Sequence, residues 1–152
     1  QIPGITIRTT VLVGFPGETV EEFNNLVGFI KKVKFDLLGC FVFSPEEGTP
    51  SYKMKPKVPK SVAKNRHNDI MIVQKDISHQ KNRKKLGTIV KAVVEGVSDD
   101  GIFYLARGDG QCPEIDPYIH VAAGDGELAM GQEYNIKIVD FDDYELIGVS
   151  IT

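Results

Sequence analysis

"ITIRTTVLVGFPGETVEEF", Ile5 to Phe23, decides the fold class of the chain's first half. It opens with β-branched residues and runs into an apolar stretch, the pattern of a strand buried on both faces in a parallel sheet. Pro16-Gly17 then enforces a turn. Thr19 and Glu22 stand at capping-box spacing, where hydroxyl and carboxylate each satisfy one orphan N–H, so a helix is predicted to start there. Val20, Phe23, Leu26, Val27, Ile30 and Val33 recur at helical spacing as its packed stripe, and Lys31, Lys32 and Lys34 suit its negative C-terminal end. "LLGCFVF", Leu37 to Phe43, reads as a second strand. Ile5 to Phe43 is therefore a strand, helix, strand unit with a right-handed crossover. Two strands make no sheet of their own, so the unit is expected to be the edge or end of a larger α/β domain.

Outward from that unit the pattern changes twice. "SPEEGTPSYKMKPKVPK", Ser44 to Lys60, is proline-rich and aperiodic and reads as a loop. Ser61 to Leu86 reads as one long basic helix, with Val62, Ile70, Val73 and Ile77 packed and Gly87 as its stop. Beyond Gly87, "TIVKAVVEGV", "GIFYLARG", "YIHVAA", "EYNIKIVDFD" and "YELIGVSIT" are short alternating segments separated by Gly and Asp turns. They predict a small five-stranded antiparallel barrel of the oligonucleotide-binding-like type.

At 152 residues and 41% hydrophobic, the chain can bury one ordinary core or two small ones. It carries no secretory leader pattern and no apolar run of bilayer length, so it reads as soluble and cytoplasmic, without a membrane partner. Opening at Gln1 rather than Met, it reads as the C-terminal piece of something longer. Cys40 and Cys112 have no CxxC partners and read as reduced thiols, neither a disulfide nor a metal site. The net charge of −3 conceals an asymmetry: residues 1–85 hold 15 Lys+Arg against 8 Asp+Glu, net +7, whereas residues 86–152 hold Lys91, Arg107 and Lys137 against 13 acids, net −10. Two modules with different partners are expected.

Read for chemistry, "GFPGET" lacks the Lys-Ser/Thr of a phosphate-binding P-loop and the third glycine of a dinucleotide fingerprint. Two readings stand level: a turn that needs a glycine at positive φ whether or not anything binds, and a ligand loop, since ligands sit at strand C-terminal ends in α/β domains. His67, His79 and His120 have no second ligand at metal spacing, and no nucleophile with an adjacent base can be assembled. Catalytic residues are not visible in this chain.

The combination of "IPGITIRTTVLVGFPGETVEEF", "FDLLGCFVFSPEEGTP", "HQKNRKKLG" and a terminal five-stranded barrel resembles the C-terminal half of the methylthiotransferases of the radical S-adenosylmethionine superfamily. The barrel resembles their TRAM domain. The resemblance implies residues 1–60 as the last part of a partial (β/α) barrel, 61–86 as a connecting helix and 87–152 as the TRAM-like domain. It also implies S-adenosylmethionine and two 4Fe-4S clusters whose cysteine ligands lie in an N-terminal part outside this sequence, so that no metal ligand is expected here and these residues alone are expected to be inactive. By match to the family's late strands, Arg8, Thr10, Gly14, Phe43 and Ser44 are the candidate cofactor-binding residues. The superfamily's GxIxGxxE pattern finds Thr10, Leu12 and Gly14, with Glu18 one place late.

Two branches of the family differ in substrate. "IRTTVLVGFPGE", "FVFSPEEGTP" and "CPEID" (Cys112 to Asp116) resemble the RimO-type branch, which implies methylthiolation of the β-carbon of an aspartate on the twelfth small-subunit ribosomal protein. The tRNA-modifying branch more often resembles "TDIIVGFPGE" and "YSPRPGTPA". Charge favours the same branch: an RNA-binding barrel needs cations to displace phosphate counterions and aromatics to stack bases, and this one is strongly acidic. A basic ribosomal protein, or the ribosomal subunit carrying it, is the expected partner of a TRAM domain that recognises it, and the protein is expected to be a monomer. The alternatives are a tRNA adenosine methylthiotransferase and a non-catalytic RNA-binding module.

Overall fold

The computed structural model describes residues 4–124 and 126–151. Its elements are β1 (Arg8–Val13), α1 (Val20–Val33), β2 (Leu37–Val42), α2 (Pro50–Lys53), α3 (Lys60–Arg83), β3 (Ile89–Val97), β4 (Tyr104–Gly108), β5 (Ile119–Ala122), β6 (Glu133–Phe141) and β7 (Leu146–Ile151). The chain divides into two compact units within α3, between Ile77 and Ser78. No helix among the described residues is long and apolar enough to cross a membrane.

In the first unit β1 and β2 pair in parallel, with Val11 opposite Cys40 and Val13 opposite Val42. The capping box forms as its spacing predicts: the Glu22 N–H donates to Thr19 Oγ1 at 3.1 Å and the Thr19 N–H to Glu22 Oε2 at 2.8 Å. Those bonds hold the Glu22 carboxyl below its ordinary value. The helix ends at Lys34, whose φ of 55° turns the chain left-handed. Phe23, Ile30 and the half-buried Leu26 and Val27 pack with Val13, Cys40, Phe35 and, from α3, Ile70 and Ile77.

Several expectations are corrected in this unit. The first strand is not buried on both faces: Val11 and Val13 turn into the core, while Leu12 and its β2 neighbour Phe41 are 47% and 62% exposed. Val20 and Val33 lie outside the buried stripe of α1, because a sheet two strands wide covers only the middle of the helix. The proline-rich segment contains a single helical turn, α2, started by Pro50 at its first position, where a missing N–H costs nothing. On α3 the buried stripe runs Ala63, Arg66, Ile70, Gln74 and Ile77, leaving Val62 exposed. The helix ends at Arg83 rather than Leu86, its last residues tightening into i→i−3 bonds before Gly87 at φ +75°.

The second unit is a closed barrel in the order β3-β4-β5-β7-β6, with β6 returning to β3. Ala92, Val94, Ala106, Ile119, Val121, Ile136, Ile138 and Leu146 alternate inward as its core. The barrel is mixed rather than antiparallel throughout: β5 and β7 pair in parallel, His120 opposite Ile147 and Val121 opposite Gly148. Because β6 pairs with β3 and β7, not with β5, the chain between β5 and β7 is the long connection that a parallel pair requires.

Gly148 marks how tightly this barrel closes. A Cβ there would stand 2.3 Å from Ile136 Cγ2 and 3.0 Å from the Lys137 carbonyl oxygen. Ile136 is fully buried and cannot yield. Gly148→Ala is therefore expected to destabilise the barrel by about 1–3 kcal/mol through overpacking. Gly96→Ala, whose nearest contact would be Leu105 at 3.8 Å, changes far less. Thermal unfolding of the two variants side by side checks the difference.

Candidate functional site

At the C-terminal end of β1 the GFPGE turn is held from three sides. The Gly17 N–H donates to the Pro56 carbonyl at 2.8 Å, tying the turn to the loop before α3. Gly14, at φ +79°, lies against α3 so closely that a Cβ on it would be 2.5 Å from the Ala63 Cβ. Its N–H donates to Glu18 Oε2. Glu18 Oε1 in turn pairs with Arg66 Nη1 at 3.2 Å, the two side chains being 12% and 8% exposed. Arg66 Nη1 also donates to the Glu18 carbonyl at 3.2 Å, and its guanidinium lies 5.3 Å from the centre of the Phe23 ring. A carboxylate that accepts a backbone N–H and pairs with a buried guanidinium nitrogen fixes the turn rigidly.

The five candidate cofactor residues fall into two groups. Gly14, Phe43 and Ser44 come together at the strand ends, where the Phe43 N–H donates to the Val13 carbonyl at 2.8 Å. Phe43 meets Phe15 edge-on, with ring centroids 5.1 Å apart. Thr10 and Arg8 lie farther back on the exposed face of β1. Arg8 stands five residue steps, roughly 16 Å of extended chain, from Val13. The Glu18–Arg66 pair is the feature that sequence reasoning missed. Its signal was there: Arg66 occupies a stripe position between Ala63 and Ile70, where an unpaired charge is untenable.

Cys40 is buried in the strand core, and burial, with the Glu18 charge behind it, pushes its thiol from 9.0 up to about 11. The folded state thus prefers the protonated thiol. Stability from this group is intact below pH 9.0 and falls as pH rises from there through about 11. Cys112 is half-buried in the β4–β5 loop. At about pH 8 iodoacetamide is therefore expected to alkylate Cys112 and spare Cys40 until urea is added, since only the thiolate of an accessible cysteine reacts. Peptide mass mapping reads the difference.

On the barrel the basic side chains are largely neutralised from within. Arg107 Nε and Nη2 both reach Glu95 Oε1 at 2.7 Å, and Lys91 Nζ meets Glu133 Oε1 at 3.0 Å. These partners hold Arg107 and Lys91 more firmly protonated than usual. His120 Nε2 lies 3.4 Å from Glu145, and its ring meets Phe103 edge-on at 5.8 Å. Strand directions bring the β4–β5 loop and the β6–β7 turn to one rim of the barrel. That rim carries Asp109, Glu114, Asp116, Asp142, Asp143 and Glu145. Among the described residues no group of three or more His, Cys, Asp or Glu stands close enough to hold a metal ion.

Comparison with known proteins follows this division. Residues 86–151 match the TRAM domain family. Over 148 residues, 97% of this chain, it is 45% identical to the ribosomal protein uS12 methylthiotransferase RimO of Acetivibrio thermocellus, covering 32% of that protein. The RimO of Caldanaerobacter subterraneus subsp. tengcongensis is 44% identical over 97% of this chain and 33% of its own length. That of Trichlorobacter lovleyi is 41% identical over 99% of this chain and 33% of its own. The chain spans about a third of the length of the curated relatives it matches. Residues 86–151 thus match the TRAM domain family, and nearly the whole chain is similar to the C-terminal third of the relatives named ribosomal protein uS12 methylthiotransferase RimO.

Proposed function

We propose that this chain serves as the C-terminal part of a RimO-type enzyme that attaches a methylthio group to the β-carbon of an aspartate on ribosomal protein uS12. The observation that carries the reading is the pairing, in one chain, of a parallel strand pair with an open face and a TRAM barrel whose surface is acidic. Residues 1–60 belong to a radical-SAM barrel, 61–86 connect, and 87–152 form the TRAM domain. When bound, S-adenosylmethionine and the two 4Fe-4S clusters supply the radical and sulfur chemistry. Cys40, buried and protonated, does not fit a cluster ligand.

The exposed β1 face and the aromatic pair at the strand ends fit an adenosine-sized ligand: Thr10 offers a hydroxyl, Phe43 an apolar wall beside Phe15, and Ser44 a second hydroxyl. Gly14 fits less directly, because Ala63 fills the space beside its Cα and Glu18 takes its N–H. It supports the site by letting α3 brace the turn. Arg8 reaches the ligand only from the far end of the strand.

The TRAM domain recognises the basic protein through its acidic surface. Opposite fields steer encounter and orient docking, whereas a phosphate backbone meets cations already claimed by Glu95 and Glu133. The enzyme acts in the cytoplasm as a monomer. The test uses the longer protein carrying this chain, with its clusters reconstituted, offered uS12 and tRNA together. Mass spectrometry is expected to find the methylthio group on a uS12 aspartate and none from the 152 residues alone; a methylthio group on tRNA would overturn the reading.

A further inference from the structure

The segment from Tyr52 to Lys64 is the most basic exposed stretch of the first unit. Lys53, Lys55, Lys57, Lys60 and Lys64 are all exposed, and no Asp or Glu occurs between Glu47 and Asp69. Among the described residues none of the five lysines pairs with a carboxylate. Lys57 Nζ instead lies 4.9 Å from the centre of the partly exposed Tyr52 ring. The Gly17–Pro56 backbone bond fixes this stretch beside the end of β1, next to the exposed Phe15 and its neighbour Phe43.

We infer that this lysine segment is a single-stranded RNA contact, separate from the acidic barrel. Lysines without carboxylate partners, with the partly exposed Tyr52 ring beside them, are what a phosphate backbone with a stackable base requires. A membrane surface is less well matched, because the apolar stripe of α3 (Ala63, Ile70, Ile77) is buried in the unit's core and unavailable for insertion. The basic and acidic halves then have distinct partners, and the RNA contact does not depend on the methylthiolation reading.

The test is fluorescence anisotropy of the 152-residue chain with a short labelled oligouridylate across a salt series. Five displaced counterions give a log–log slope of roughly −3.5, about a hundredfold loss of affinity between ~50 and ~200 mM salt. The variant K53Q/K55Q/K57Q is expected to shrink that slope by about 2, while K137Q on the barrel leaves it unchanged. These are surface changes, and thermal unfolding verifies that each variant is folded. The inference is overturned by absence of binding at the lowest salt, by an unchanged slope in the triple variant, or by tighter lysine-dependent binding to phosphatidylserine vesicles than to RNA.

Discussion

Glu18→Ala is expected to cost the first unit about 3–5 kcal/mol, because it leaves the Arg66 guanidinium buried without its carboxylate and removes the acceptor of the Gly14 N–H. That is a large share of the 5–15 kcal/mol that stabilises an ordinary domain. The turn after β1 should loosen first, so amide exchange at Gly14 to Glu18 is the informative probe. Adding Arg66→Met removes the stranded charge and lets the side chain pack against Phe23 and Ile70. The double variant is therefore expected to recover most of the loss, as replacement of a whole buried pair by apolar groups commonly does. Urea unfolding of both variants, followed through the first unit's amides, checks the ordering.

Gly14→Ala should be nearly as damaging, for two independent reasons. The residue sits at φ +79°, a conformation that costs an L-residue roughly 1–2 kcal/mol, and its new Cβ would collide with Ala63 at 2.5 Å. Overpacking of this kind adds about 1–3 kcal/mol. The compensating change Ala63→Gly relieves the collision but not the backbone strain, and it adds helix-propensity cost of up to about 1 kcal/mol. A partial rescue is thus the expected result of the double variant, measured by the same unfolding experiment. A ligand that needs the Cα of Gly14 bare would add a loss of binding to this loss of stability.

What could be seen in the sequence followed from local rules. The capping box at Thr19 and Glu22, the helical stripe through Phe23, Leu26, Val27 and Ile30, and the alternating barrel strands are each written in a few neighbouring residues, and each is present. What escaped notice depends on residues distant in the chain. The parallel β5–β7 pairing comes from the order of barrel closure, which alternation within a strand does not encode. The Glu18–Arg66 pair joins residues 48 apart, and only a charge on the buried stripe of α3 hints at it. The apolar run of β1 looked doubly buried, yet Leu12 and Phe41 are exposed. In the proposed enzyme that open face is turned toward the cofactor and the remaining strands of the radical-SAM barrel.

The GFPGE turn has a structural role whether or not a ligand meets it: Gly17 is bonded to Pro56, Gly14 is pressed on Ala63, and Glu18 is clamped by Arg66. Ligand contact, in the reading proposed above, falls to Thr10, Phe43 and Ser44 around it.

The proposed recognition of a basic ribosomal protein by the acidic barrel is read most directly by surface-plasmon titration of uS12 onto the immobilised 152-residue chain at low and physiological salt. Saturable binding that weakens with salt is expected, with roughly tenfold slower association for the rim variant D109N/E114Q/D142N. No binding of uS12 at low salt, or binding that the rim variant leaves unchanged, would contradict it.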